Sequence, residues 1–481
     1  MYYHGMTSPS ISPPARWDAS IWGLLAVLCG VLFLDGLDVS MVGMALPSIE
    51  SDLGLTTSQL QWVVSGYVLG YGGFLLLGGR SADLLGRRRM LLIGLAVFTV
   101  ASAVGGVVDN GTLLVLTRFL KGAAAAFTAP AGLSIITTHF AEGPERNRAL
   151  SIYTATGASG FSMGLVAGGL LTELDWRWTF LLPVPFALGL LIAAPRYLPR
   201  DRSATVTRRS FDIPGAVTLT ATMLLLVRTV VEAPNEGWGS PVTIGSFAVT
   251  AALLAAFITI EQRSASPLVR LGILRSGPLV RANLGMMTLF GAYVGFQFVM
   301  TLYLQTMNGW SPVETALAFL PAGILVAVGS PRIGPIVDRL GAPRVIALGT
   351  AASAIGYALV LRFDAHAEYL TVLLPTMLLI GIGFMLLFPA LNIQATMGVA
   401  NHEQGLASGL VQTSFQIGGA IGLAIVTAVV STGSAEGDVF GAYHTAVGVA
   451  LAIAALGLLV AIIGLAREPR AASAAAIAEA E

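Results

Sequence analysis

Gly79-Arg-Ser-Ala-Asp83-Leu-Leu-Gly86-Arg-Arg-Arg89 and Gly334-Pro-Ile-Val-Asp338-Arg-Leu-Gly341-Ala-Pro-Arg344 are the two stretches that decide the fold of this chain. Both follow G-x3-D-x2-G-x2-R, and the second begins 255 residues after the first. Each separates two apolar runs. One copy alone reads as a tight polar turn. Two copies at equivalent places read as a duplicated helical bundle, a construction many secondary transporters use.

The composition around them excludes a soluble protein. Of 481 residues, 55% are apolar and 11% charged, and the mean hydropathy is +0.79. Soluble domains carry about 25% charged residues, so this chain must be solvated by lipid over most of its length. The net charge is zero, which gives no sign of a nucleic-acid partner. Cys29 is the single cysteine, so there is neither a disulfide framework nor a cysteine metal site. Lys121 is the only lysine among 26 basic residues, a bias that points to a GC-rich bacterial genome.

About 20 apolar residues cross a bilayer as a helix. On that measure we expect an all-α integral membrane protein with fourteen spans. They lie near 20–47, 57–79, 90–108, 112–138, 149–172, 178–195, 213–231, 242–260, 283–307, 315–331, 345–361, 370–395, 405–431 and 442–465. With the N-terminus inside, 21 basic residues fall in cytoplasmic segments and only Arg177 and Arg362 outside. That obeys the positive-inside rule and places both termini in the cytoplasm. A six-span half needs roughly 200 residues. The longer repeat offset therefore predicts two inserted helices. The expected layout is an N-terminal tail (1–19), a six-helix bundle (20–200), two inserted helices with cytoplasmic loops (201–275), a second six-helix bundle (276–466) and a low-complexity cytoplasmic tail (467–481).

Four motifs then carry a family resemblance. GRSADLLGRRR (79–89), LDVSMVGMALP (37–47), Arg118-FLK-Gly122 and the glycines Gly160, Gly164, Gly168 and Gly169 resemble the major facilitator superfamily. Within it, the chain is most similar to the fourteen-span drug:proton antiporters. WRWTF (176–180) and QIGGAIG (416–422) extend the likeness over nearly the whole chain. Leu165 stands where the span 5 motif has proline, Pro183 replaces the asparagine expected after WRWTF, and Ser65 lies where some relatives carry an acid. The resemblance implies two major-facilitator bundles plus two central helices, and export of a hydrophobic or cationic drug driven by protons. It also implies a monomer in the bacterial cytoplasmic membrane that confers resistance and needs no cofactor.

Charges at membrane depth cost about 2.5–3.5 kcal/mol each on insertion scales, so they mark candidate sites. Asp35 and Asp38 share a face of span 1 at i and i+3. Asp38 lies roughly 13 Å below Pro47, and Arg118 and Lys121 roughly 9–14 Å below the outer end of span 4, at about 1.5 Å per residue. The four are candidates for proton coupling, with a static buried ion pair as the alternative. Asp38 holds the motif position, and Asp35 is the extra acid, placed to face substrate. Arg228 sits close enough to a span end to snorkel.

Gly157, Gly160, Gly164, Gly168 and Gly169 supply close helix packing, or a surface on which span 5 slides or seals against the other half. In the family, the loop Gly79, Asp83, Gly86, Arg87, Arg88 and Arg89 latches the halves on the cytoplasmic side; Gly334, Asp338, Gly341 and Arg344 form its counterpart. Polar and aromatic residues on central spans are cavity candidates: Trp62, Tyr67, Phe127, Tyr153, Tyr293 and Gln297, then Tyr303, Phe388, Asn392, Gln412 and Gln416. Alternatives within the fold are a proton-coupled importer of a small metabolite and a non-transporting sensor. No HExxH or phosphate-binding GxxxxGK[ST] occurs, and the one G-x-S-x-G match (160–164) falls inside an apolar span rather than at a strand-to-helix turn, so an enzyme and an ATP-driven pump are not expected.

Overall fold

The computed structural model describes residues 17–140, 144–201, 212–264, 267, 270–362, 368–399, 404–435 and 437–478, and these contain helices and no strands. The first set comprises α1 (Ala19–Leu53), α2 (Thr57–Leu85), α3 (Arg87–Gly105), α4 (Gly111–His139), α5 (Pro144–Leu174), α6 (Trp178–Leu181) and α7 (Pro183–Tyr197). Next come α8 (Ile213–Glu236) and α9 (Pro241–Arg263). The last set is α10 (Gly277–Leu302), α11 (Pro312–Gly329), α12 (Gly334–Leu340), α13 (Ala342–Val360), α14 (Leu374–Thr396), α15 (Gln404–Ala435) and α16 (Val439–Ala478).

Capping residues in the sequence set the helix starts. Thr56 and Gln59 form a reciprocal cap on α2, as Ser311 and Glu314 do on α11. Asn110 accepts from Leu113 N–H to start α4, and Asp212 accepts from Gly215 N–H to start α8. The repeated loop has a shared backbone cause. Gly86 at φ 103° and Gly341 at φ 83° occupy the left-handed region at matching places in the two copies. Each lets one helix stop and the next start without a spacer.

The duplication reappears in the packing. α1 lies on α5, α2 on α4 and α3 on α4; α10 lies on α15, α11 on α14 and α13 on α14. The two sets meet where α2 packs on α15, α5 on α11 and α1 on α10. α8 and α9 pack on each other, and α8 also lies against both α2 and α15. It therefore covers the place where the two sets join. Large apolar side chains such as Ile93, Val100, Leu170, Phe186, Ile244 and Leu459 point outward, which in a lipid-solvated protein is the favourable direction.

Among the described residues, twelve helical segments are long and apolar enough to cross a membrane. The fourteen-span expectation includes two further helices. α8 has a shorter apolar stretch, Pro214–Val230. α5 begins with Glu145 and Arg146 and is diluted along its length by Ser, Thr and Gly. Its 31 residues nevertheless run unbroken through Leu165, where the family motif has proline.

Candidate functional site

Close helix crossing builds the site. A Cβ on Gly122 of α4 would collide with the backbone of Tyr67 on α2, and one on Gly66 would sit 3.1 Å from the Val115 carbonyl oxygen. With α2 and α4 this near, the Arg118 Nε donates to the Val63 carbonyl at 3.0 Å. The guanidinium also lies over the Tyr67 ring, 4.7 Å from its centroid. From the other side, α1 brings in Asp38, whose carboxylate accepts from both Arg118 and Lys121.

Lys121 completes the cluster. Its Nζ donates to Ser102 Oγ at 2.9 Å and lies over the rings of Phe98 and Phe180, at 4.7 and 5.1 Å. Ser102 Oγ in turn donates to the Phe180 carbonyl at 2.7 Å. Arg118 is 2% exposed, and Asp38 and Lys121 are fully buried. Buried ions persist only when paired and hydrogen-bonded, and here one carboxylate faces two cations. Asp35 lies one turn away on α1 and is 8% exposed.

Beside the cluster, between the two helix sets, lies a cavity of about 40 Å³. Val39 and Gly43 of α1, Tyr67, Arg118, Phe161 of α5 and Gln297 of α10 help line it. That space admits a few waters and no drug-sized molecule. Outward of it, Gln305 Nε2 donates to the Met44 carbonyl across the two sets at 3.2 Å. The second set contributes aromatic rings. Phe290 stacks on Phe415 at 3.8 Å, Phe384 stacks on Phe388 at 5.8 Å, and Tyr293 meets Phe161 across the midline at 6.1 Å. Phe290, Phe384 and Phe415 were not among the residues the sequence singled out; the i, i+4 pair Phe384 and Phe388 was the available signal.

The other candidates distribute as follows. Gln416 is buried next to Gly72 of α2. The Asn392 side chain donates to the Phe388 carbonyl at 2.7 Å, and Gln412 is half-buried on α15. Tyr303 is fully buried against Tyr443 toward the outer end. Phe127 packs beside Phe74, and the Tyr153 hydroxyl reaches the Ala129 carbonyl at 3.5 Å. Trp62 is turned away from the centre: its Nε1 donates to Glu232 Oε1 on α8 at 2.6 Å.

Gly157, Gly160, Gly164 and Gly168 all face α1, within the first helix set, and a Cβ on Gly168 would lie 2.6 Å from Met41 Cα. Gly169 turns instead to α11 of the second set, where Ala316 and Pro312 leave only 2.8 Å for a Cβ. In the 79–89 loop, Arg87 donates to the Ser134 carbonyl and Thr138 Oγ1 on α4, at 3.2 and 2.7 Å. Arg88 donates through its side chain to the Pro195 carbonyl at 2.8 Å. The backbone N–H groups of Arg88 and Arg89 donate to the Asp201 carboxylate at 3.1 and 3.2 Å. Asp201, a cap on α3 that the sequence did not reveal, fixes this turn. A Cβ on Gly79 would touch only Pro130, and none would meet an atom at Gly334. Arg344 reaches back to the Leu340 carbonyl at 3.3 Å, and Asp338 is exposed. The side chain of Asp83 lies outside what the structure describes, as do the tail residues 1–16 and 479–481.

Comparison with known proteins agrees with this arrangement. The model of the Major Facilitator Superfamily matches residues 28–423. The chain is 40% identical to the puromycin resistance protein pur8 of Streptomyces alboniger, over 88% of this chain and 83% of that one. It is 37% identical to the cephamycin export protein CmcT of Amycolatopsis lactamdurans, over 91% and 92% of the two chains. Among solved structures, the nucleoside transporter NupG superposes with a TM-score of 0.63 at 14% identity, covering 92% of this chain and 99% of that one.

Proposed function

This chain belongs to the Major Facilitator Superfamily of membrane transporters, and from that premise we propose that it is a proton-coupled antiporter expelling a hydrophobic or cationic antibiotic across the bacterial cytoplasmic membrane. The observation that carries the reading is the position of Asp38: buried between Arg118 and Lys121, beside a cavity lined by both helix sets. A carboxylate held by two cations exchanges its partners for a proton when the surrounding helices shift. Such a shift is what alternating access supplies. The aromatic rings opposite suit an apolar or cationic guest. The printed functions of the two relatives, puromycin resistance and cephamycin export, support outward movement of an antibiotic.

The proposal includes fourteen spans, with α5 and α8 crossing the bilayer alongside the twelve segments above. α1–α7 and α10–α16 act as the two rocking bundles, α8 and α9 as an insertion, and the working unit is a monomer. The loops at 79–89 and 334–344 serve as cytoplasmic latches, and the span 5 glycines let α5 move with α1.

Everted membrane vesicles carrying an imposed proton gradient test this reading. Addition of a substrate from a panel of antibiotics and dye cations releases protons in the wild type, and Asp38→Asn abolishes the release. A panel that releases no protons from properly inserted wild type overturns it.

A further inference from the structure

α2 of the first helix set and α15 of the second pack along a shared seam. Two contacts fix its register. A Cβ on Gly72 would lie 3.3 Å from Gln416 Cβ, and one on Gly409 would lie 3.1 Å from Leu76 Cδ2. Residue numbers rise on one helix as they fall on the other, so the pair is antiparallel. Eleven residues outward from Gly72 lies Gln61, and eleven onward from Gln416 lies Thr427. At about 100° per residue, positions 61, 65, 68, 72 and 76 span roughly 80° of α2, and 409, 416, 420 and 427 roughly 40° of α15. Gln61 and Thr427 therefore stand on the seam at one level in its outer half, and Ser65 follows one turn, about 6 Å, deeper.

All three are buried: Gln61 is 1% exposed, Ser65 0% and Thr427 2%. Gln61 Nε2, Ser65 Oγ and Thr427 Oγ1 have no hydrogen-bond partner. Buried polar groups between membrane helices ordinarily bond across the interface and hold it together. Three that do not, at adjoining places on facing stripes, are poor cement and a ready surface for a guest. The stripes carry no charged residue. On the lipid side, Val227 and Val230 of α8 pack with Val68, Ala420 and Ala424 over the seam. The Glu232 carboxylate of α8 accepts from Trp62, on a different face of α2. On the inner side, Val64 and Val68, which flank Ser65 along α2, line the central cavity.

We infer that Gln61, Ser65 and Thr427 form a subsite for uncharged hydrogen-bonding groups of the exported compound, its hydroxyls, amides or carbonyls. The inference rests on the efflux reading above and narrows the substrate class: the compound carries such groups on an otherwise apolar body. Because α2 and α15 belong to different sets, rocking parts the outer half of their seam in one state of the cycle. The guest then supplies the partners the three side chains lack. An amide and two hydroxyls both donate and accept, so the subsite matches either polarity and offers nothing to a purely apolar molecule. Its place beside the cavity lets one compound set its apolar body among the rings and its polar edge on the seam.

The test compares two uncharged compounds in everted vesicles: chloramphenicol, which carries two hydroxyls and an amide, and Nile red, which has no hydrogen-bond donor. Wild type is expected to transport chloramphenicol. Gln61→Met and Thr427→Val each raise its KM about fivefold with little change in maximal rate, the scale of one lost neutral hydrogen bond. Nile red transport stays within about twofold, and Thr427→Ser, which keeps the hydroxyl, restores the wild-type KM. Melting of the purified proteins in detergent gives a second measurement. Both variants lose an unpaired buried polar group, so without ligand they melt no lower than wild type, while the upward shift given by chloramphenicol shrinks. Variants that melt lower than wild type assign these residues to helix packing and overturn the subsite. An unchanged chloramphenicol KM, equal loss of both compounds, or a wild type that exports other compounds and ignores chloramphenicol overturns it too. A wild type that exports nothing from the wider panel of antibiotics and dye cations removes the efflux reading itself, a different failure.

Discussion

Lys121, the only lysine of the chain, lies against the carboxylate of Asp38 with both side chains fully buried. Arg118 takes the other carboxylate oxygen. Removing one partner from a buried ion pair costs about 3–5 kcal/mol, because the other charge is left uncompensated. Asp38→Asn should therefore lower thermal stability in detergent, and Asp38→Asn with Lys121→Met should recover part of the loss, Arg118 still being left without its carboxylate. Transport driven by a proton gradient should stay absent in both. A double variant no more stable than the single one would contradict the charge accounting.

The α1–α5 seam tolerates no side chain. A Cβ on Gly164 would collide with Ser40 and would approach the Leu37 Cα to 2.8 Å, whereas Gly189 on α7 has nothing within 4 Å. Gly164→Leu should abolish correctly folded protein in size-exclusion profiles, and Gly189→Leu should leave the profile unchanged.

α8 is tied to the first helix set by the 2.6 Å bond from Trp62 to Glu232. A hydrogen bond to a charged acceptor is worth about 1.5–3 kcal/mol. Trp62→Phe should speed hydrogen exchange or proteolysis across 213–263 while α1–α5 keep their protection. Uniform loosening of the whole protein would argue against a local tie.

The cytoplasmic latch is tested at Asp83. Asp83→Asn should insert normally, as judged by membrane levels, and lower the turnover rate several-fold with little change in substrate affinity. Wild-type turnover would remove the latch from the account.

Much of the architecture was legible in the sequence, because helical membrane proteins write their topology in apolar runs and arginine placement. The paired loops around Gly86 and Gly341 predicted the duplication, and both glycines adopt the left-handed turn that links successive helices. The union of Asp38 with Arg118 and Lys121 followed from depth arithmetic along separate spans. Azimuth was harder to read. Trp62 looks like a cavity residue until α8 is seen to occupy its side, and the span 5 glycines do not announce that most of them face α1. Contacts between distant segments, such as Asp201 with the α3 N-terminus, leave no local pattern at all.

The central claim is that Asp38 couples proton movement to export, and substrate exchange in proteoliposomes separates coupling from transport itself. In Asp38→Asn, substrate should still exchange across the membrane without a gradient, while accumulation driven by a proton gradient should be lost. Gradient-driven accumulation at the wild-type level in Asp38→Asn would contradict the account.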